Sequence, residues 1–288
     1  MIEREKILLS LIENAPDRKM SRLQLVKLCF LIAQTWQKPT STSVYKFLPY
    51  RFGPFSFTLY HELDDLIKIG AIERIGDDVR RPGGMEPVDL NPYSRQMVQY
   101  ASNRYGKMSI DALLDFVYGK YPWYTCKSDK VEKRGATVPV VPPKVYTSGY
   151  QGCQLDGFLN RLLKNGICRI IDVRCNPVSR QYGFHKQTLA KSANNVGIDY
   201  EHVADLGIPS ALRANLESPD DYISLFARYR NEILPLHTDS INKVCNMIRE
   251  KPSALVCQEA DPKQCHRTVL AQVVSKHVHL KIEDIAGE

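Results

Sequence analysis

No stretch of the 288 residues approaches the roughly 18 to 20 uninterrupted apolar residues that a membrane-spanning helix needs, so no membrane partner is expected. The chain opens Met1-Ile2-Glu3-Arg4-Glu5, a charged helix start instead of the apolar core of a signal peptide, and the expected location is the cytoplasm. There are eight cysteines but no C-x-x-C pair, and they are spread too thinly for a disulfide framework. Reduced thiols and no structural disulfide are the expectation. No period of 20 to 50 residues recurs, which excludes a solenoid or propeller.

What is present is ordinary for a folded protein: 43% apolar and 25% charged residues argue against disorder. A length of 288 residues is about twice a usual domain of about 150, so two domains are expected. The net charge of +7, most of it before Lys144, leans toward anionic partners without requiring nucleic acid.

In the first half, Ile7, Leu8, Leu11 and Ile12 fall at helical spacing, and Asn14-Ala15-Pro16-Asp17 ends that helix. Ser21 is placed to cap a second helix, whose Leu23, Val26, Leu28, Phe30, Leu31 and Ile32 make it too apolar for a surface element up to about Trp36. An extended piece from Val44 to Phe52, a turn at Gly53-Pro54, a helix from Ser56 stopped at Gly70, and a hairpin from Ala71 to Val79 follow. Two more helices are read over Ser94–Arg104 and Ser109–Tyr118. Trp123 and its aromatic neighbours, beside Lys127 to Arg134, suit either base stacking or core packing above a solvated linker. The segments Leu23 to Leu28 and Arg51-Phe52-Gly53-Pro54-Phe55-Ser56 resemble Panacea-like winged-helix modules. That resemblance covers residues 2 to about 80 and implies contact with DNA or with a protein partner; the mainly helical first domain is read over 1–135, ahead of a Pro-rich connector over 136–143.

From Lys144 to the C-terminus, strand and helix alternate. Strands are read at Lys144–Ser148, Cys168–Val173, Ile198–Val203 and Ala254–Cys257, with helices over Leu155–Asn165, Lys186–Asn195 and Ser240–Glu250. The pattern predicts an α/β domain over 144–288: a mostly parallel sheet with helices on both faces.

Ligands of such sheets bind beyond the carboxyl ends of the strands. There the sequence carries Ser148 and Gly149, then Asp172, Arg174, Ser179 and Arg180, then Glu259, Cys265, His266 and Arg267. The order and spacing of Thr147-Ser148-Gly149-Tyr150, Asp172-Val173-Arg174, Leu206-Gly207, and Leu255 to Glu259 with Cys265-His266-Arg267 resemble the family known as domain of unknown function 488. Ile208 departs from it, standing where the family often has a second glycine. The resemblance implies the fold and the site, not a reaction.

Asp172, Glu259, Cys265 and His266 are the candidates for acid, base or nucleophile, and Ser148, Gly149, Arg174, Ser179, Arg180 and Arg267 those for holding an anion. A helix beginning near Asp261 would put Cys265 in its early turns, lowering the thiol pKa, although a buried structural thiol fits the sequence equally. Arg174 and Arg267 are expected to share one anionic ligand. No cofactor is implied, and no metal is expected because Cys257, Cys265 and His266 have no clear fourth donor. The favoured expectation is a nucleic-acid- or nucleotide-directed protein, DNA or RNA on the first domain and a phosphate or base at the rim. A rhodanese-like thiol transferase and a non-catalytic ligand-sensing regulator are the alternatives; Cys257 to Arg267 is too long for a rhodanese loop.

Overall fold

The computed structural model describes residues 1–35, 44–213, 216 and 218–287. They form two compact units, Met1–Thr137 and Val138–Glu288.

The first unit is mainly helical: α1 (Glu3–Glu13), β1 (Lys19–Ser21), α2 (Arg22–Thr35), β2 (Leu48–Tyr50), β3 (Gly53–Phe55), α3 (Phe57–Lys68), β4 (Glu73–Ile75), β5 (Asp78–Arg80), α4 (Pro92–Tyr105) and α5 (Ile110–Lys120). Small polar side chains start several of the helices, Ser21 among them as the sequence suggested. Ser21, Ser56, Asn91 and Ser109 each accept a backbone N–H three residues on, satisfying donors that the first turn leaves without partners. Helix α2 is buried around most of its circumference, from Leu25 to Ile32, which explains its unbroken apolar run. Trp36 lies outside the described residues.

Two local readings change. The piece expected to be a single extended segment is a hairpin, with Leu48 opposite Phe55. Its turn places Gly53 at φ +84°, with no room for a Cβ against the Tyr118 ring. The three-residue β1, too short to show a period, pairs with β5 and completes a sheet of order β1-β5-β4. Tyr121 and Tyr124 lie edge-on to Phe30, so these aromatics belong to the core.

The second unit carries β6 (Val145–Gly149), α6 (Leu155–Lys164), β7 (Arg169–Asp172), α7 (Lys186–Asn195), β8 (Asp199–His202), α8 (Pro219–Arg228), α9 (Thr238–Glu250), β9 (Ser253–Cys257), α10 (His266–Val278) and β10 (Ile282–Asp284). Its sheet runs β10-β6-β9-β7-β8, parallel throughout, with helices around it. Strand β9 enters last but one in the chain yet lies between β6 and β7. Gly149 faces Cys257 across one pair and Asp172 faces Val256 across the other, so the carboxyl ends of β6, β9 and β7 open on one rim. The segment expected as connector belongs with this unit from Val138 onward: Pro139 and Val141 pack against Gly166, whose φ of +66° turns α6 into β7.

Candidate functional site

The loop from β9 to α10 is held by what surrounds it. A Cβ on Gly149 would sit 1.9 Å from the carbonyl oxygen of Glu259, so only glycine at the end of β6 lets the loop cross so closely. The guanidinium of Arg267, completely buried, donates Nη1 to the Glu259 carbonyl and Nη2 to the Ala260 carbonyl at 3.2 Å. Asp261 caps a short turn, Pro262–Gln264, by accepting the Lys263 N–H at 2.8 Å. Cys265 then precedes the first residue of α10, His266.

This folding brings four donor groups to one point. The Cys257 and Cys265 thiols lie 3.0 Å and 3.1 Å from Oε2 of Glu259, and Cys257 Sγ lies 3.7 Å from Nδ1 of His266. All four ligating atoms fall within 4.8 Å of one another. The other imidazole nitrogen, Nε2, is 3.0 Å from the Val173 carbonyl. A carbonyl only accepts, so Nε2 carries the proton and Nδ1 presents its lone pair to the sulfurs when the ring is neutral. The ring of Tyr229 stands edge-on to His266 at 5.6 Å, and its hydroxyl donates to the Leu206 carbonyl.

Burial sets the electrostatics. It pushes the Cys265 thiol well up, and the adjacent Cys257 adds to the rise against the opposing pull of His266. The direction is opposite to the lowering expected from a helix start, because burial acts against the thiolate. Burial works against the charged form of Glu259 too, but hydrogen bonds from Cys257, its own backbone and Cys265 bring its pKa below the ordinary value. For His266 burial acts downward and is outweighed by Cys265, the Val173 carbonyl and Glu259, giving a net rise.

Beside the cluster lies a cleft of about 440 Å³. Its lining combines the apolar Ile208, Leu216, Leu225 and Phe226 and the ring of Tyr222 with the polar Arg213, Gln258, Glu259, Gln264 and His266. Arg213 meets Oε1 of Glu259 at 3.6 Å, leaving Oε2 to the thiols. Ile208, the departure from the family pattern, is one of the apolar residues lining the cleft.

The anticipated site divides. Glu259, Cys265 and His266 come together, joined by Cys257. The missing fourth donor is Glu259 itself, anticipated only as an acid or base. Asp172 lies elsewhere and is fully buried, accepting Arg174 on both oxygens and the Tyr200 hydroxyl at 2.6 Å. Arg174 also donates to the Tyr150 hydroxyl at 2.7 Å and the Phe184 carbonyl at 2.9 Å. With four donor contacts spent internally, the Arg174 guanidinium is engaged as a clamp within the domain. Arg267 is likewise spent on loop carbonyls and on Asp284 at 3.4 Å. The shared anion between these two arginines is thus not supported by their surroundings. Ser148 is buried, donating to the Ile285 carbonyl and taking Arg161, and Gly149 acts through its missing side chain. Ser179 accepts the Gln181 N–H within its own exposed loop, where Arg180 is also exposed. Neither touches the cluster among the described residues.

Sequence reading missed Arg213, Tyr222, Phe226, Gln258 and Gln264. The signal was there in α8, where Tyr222, Leu225, Phe226 and Tyr229 follow an i, i+3, i+4, i+7 pattern behind the capping box Ser218/Asp221.

In comparisons with known proteins, the sequence model of the family described as Domain of unknown function DUF488 matches residues 154–274, from the start of α6 into α10. No curated protein and no solved structure gives a significant match to the chain.

Proposed function

We propose that the second unit is a nucleotide-directed domain that takes a base and a phosphate in the cleft beside Glu259. The observation that carries this reading is the mixed aromatic and polar lining of the cleft. Tyr222 and Phe226, 6.0 Å apart and inclined at 57°, offer aromatic surface for a planar base, and the Gln258 and Gln264 amides offer both donors and acceptors to its edge. Arg213 supplies the anion contact: its side chain is 35% exposed, against 0% for Arg267, so it can reach a phosphate through two nitrogens.

Thiol transfer is less well supported, because both Cys257 and Cys265 are buried and burial raises the Cys265 thiol, which works against the thiolate. For the first unit, the order α1, β1, α2, α3 and the β4–β5 hairpin, with sheet order β1-β5-β4, supports a winged-helix-like reading, to which the separate β2–β3 hairpin between α2 and α3 is an addition. Yet α3, in the place of a groove-reading helix, turns Asp64 and Asp65 toward solvent, and these repel phosphate. The ligand assignment therefore rests on the cleft, with polymer contact by the first unit confined to surfaces other than α3.

The test is titration of the full chain with nucleoside mono- and diphosphates by calorimetry. Binding is expected for at least one, weakened about 10- to 100-fold by Arg213→Ala, the range of a charge-assisted hydrogen bond. No binding across the panel, or binding indifferent to Arg213, overturns the reading.

A further inference from the structure

Two thiols and a carboxylate crowd one buried point at the end of β9, with an imidazole lone pair directed at the same point. Three potential anions so close repel one another once ionised, unless a cation sits among them. Arg213 reaches Glu259 on the cleft side through Oε1, and the guanidinium of Arg267 is spent on the loop backbone. We propose that Cys257, Glu259, Cys265 and His266 form a binding site for one divalent ion of the zinc class.

Geometry supports this first. Around a tetrahedral zinc, with bonds near 2.3 Å to sulfur and 2.0 to 2.2 Å to nitrogen or oxygen, neighbouring ligand atoms lie about 3.3 to 3.8 Å apart. The contacts of 3.0, 3.1 and 3.7 Å need shifts of only a few tenths of an ångström. The imidazole is also oriented as a ligand. Metal-bound histidines usually donate their second N–H to a carbonyl or carboxylate, and His266 has Val173 there at 3.0 Å. Sulfur and imidazole donors select zinc over magnesium or calcium, which favour all-oxygen shells.

Charge supports it as well. On binding, each thiol gives up its proton to solvent and bonds the ion as thiolate; with the carboxylate and neutral imidazole, the ion and its ligands carry one net negative charge. Arg213, ion-paired to Glu259, and buried Arg267 beside the loop offset it. Glu259 and His266 border the cleft, so the ion would sit in its floor, with the Glu259 position the one a ligand oxygen or nitrogen could take.

The site does not depend on what the cleft binds, and its test uses no nucleotide. The full chain is reduced, stripped with a chelator and titrated with Zn²⁺ and with Co²⁺. One ion per chain is expected, with release of about two protons in weak buffer and, for Co²⁺, near-ultraviolet thiolate-to-metal charge-transfer absorption. Alkylation mapped by mass spectrometry should find Cys257 and Cys265 protected by zinc and modified after chelation. Cys265→Ser and His266→Gln should each weaken zinc at least about 100-fold, beyond what loss of a supporting hydrogen bond costs. If either variant fails to fold, the alkylation of the wild-type chain decides alone. Equal alkylation with and without zinc, a cobalt complex without charge-transfer absorption, or recovery of Cys257 and Cys265 as a disulfide with no metal taken up after reduction overturns the proposal.

Discussion

Asp172 and Arg174, two residues apart at the end of β7, form a buried two-pronged ion pair: Nε meets Oδ1 at 2.8 Å and Nη2 meets Oδ2 at 2.5 Å. The pair is closed from above by Tyr200 and from the side by Tyr150, over whose ring the guanidinium lies at 5.0 Å. Its effect is to fix the loop that follows β7, because the Arg174 carbonyl also meets His202 Nε2 at 2.8 Å.

Removing one partner strands the other in a buried site. Arg174→Met should therefore lower stability by about 3 to 5 kcal/mol, the cost of an uncompensated buried charge. The double change Asp172→Leu with Arg174→Met should recover much of the loss, since it removes both charges together. Thermal unfolding of the three proteins measures this. A single variant with an unchanged melting temperature would show that the pair does not hold the loop.

Gly149→Ala tests the close approach of β6 and the β9–α10 loop. Its Cβ would meet backbone, not a flexible side chain, at the Glu259 carbonyl, so the loop must move. A loss of about 1 to 3 kcal/mol is expected, as for an overpacked core. The displaced carboxylate should also leave the cysteines, read as faster alkylation of Cys257 and Cys265. Wild-type stability and wild-type alkylation together would sink this account of Gly149.

Most of the second unit was legible because its signals are local. The helices Leu155–Lys164 and Lys186–Asn195 are written in the spacing of their apolar residues, and the parallel sheet in the alternation of strand with helix. What escaped depends on the third dimension. The three-residue strands Lys19–Ser21 and Ile282–Asp284 carry no period of their own and exist because partners lie beside them. Arg174 and Arg267 look like ligand-binding arginines in one dimension. Only packing reveals that carbonyls and carboxylates already occupy them. The reverse holds for Glu259, which lies two residues from Cys257 in the chain and becomes the missing neighbour of Cys265 only after the loop doubles back.

Tyr229 separates packing from hydrogen bonding at the cluster. Tyr229→Phe keeps the edge contact on His266 and leaves the Leu206 carbonyl without its donor, for an expected cost of about 1 to 3 kcal/mol. Tyr229→Ala also opens a void under the imidazole and should cost about 3 to 5 kcal/mol. Equal costs for the two changes would mean that the ring contributes nothing to holding His266.

Lys27 makes the first unit sensitive to pH. Its ammonium is buried in α2, donating to the Pro54 carbonyl at 2.8 Å, and burial lowers its pKa to about 7. In the unfolded chain the same lysine keeps the ordinary value of about 10.5. Between these values the unfolded state binds a proton that the folded state refuses, so stability rises with pH from about 7 upward and falls as pH drops toward 7, by about 1 kcal/mol per pH unit. Buried Cys29 acts oppositely: burial raises its thiol, so the unfolded chain loses that proton first and stability falls above about pH 9. The range from pH 7 to about 8.5 isolates the lysine. Both tryptophans, Trp36 and Trp123, lie in the first half of the sequence, so their fluorescence follows this unit within the full chain. Denaturant unfolding should give a free energy that climbs across this range in the wild type and stays flat in Lys27→Met, which cannot titrate. A flat wild-type profile would mean that Lys27 stays charged in the folded state, and an equal slope in both proteins would assign the titration to another group.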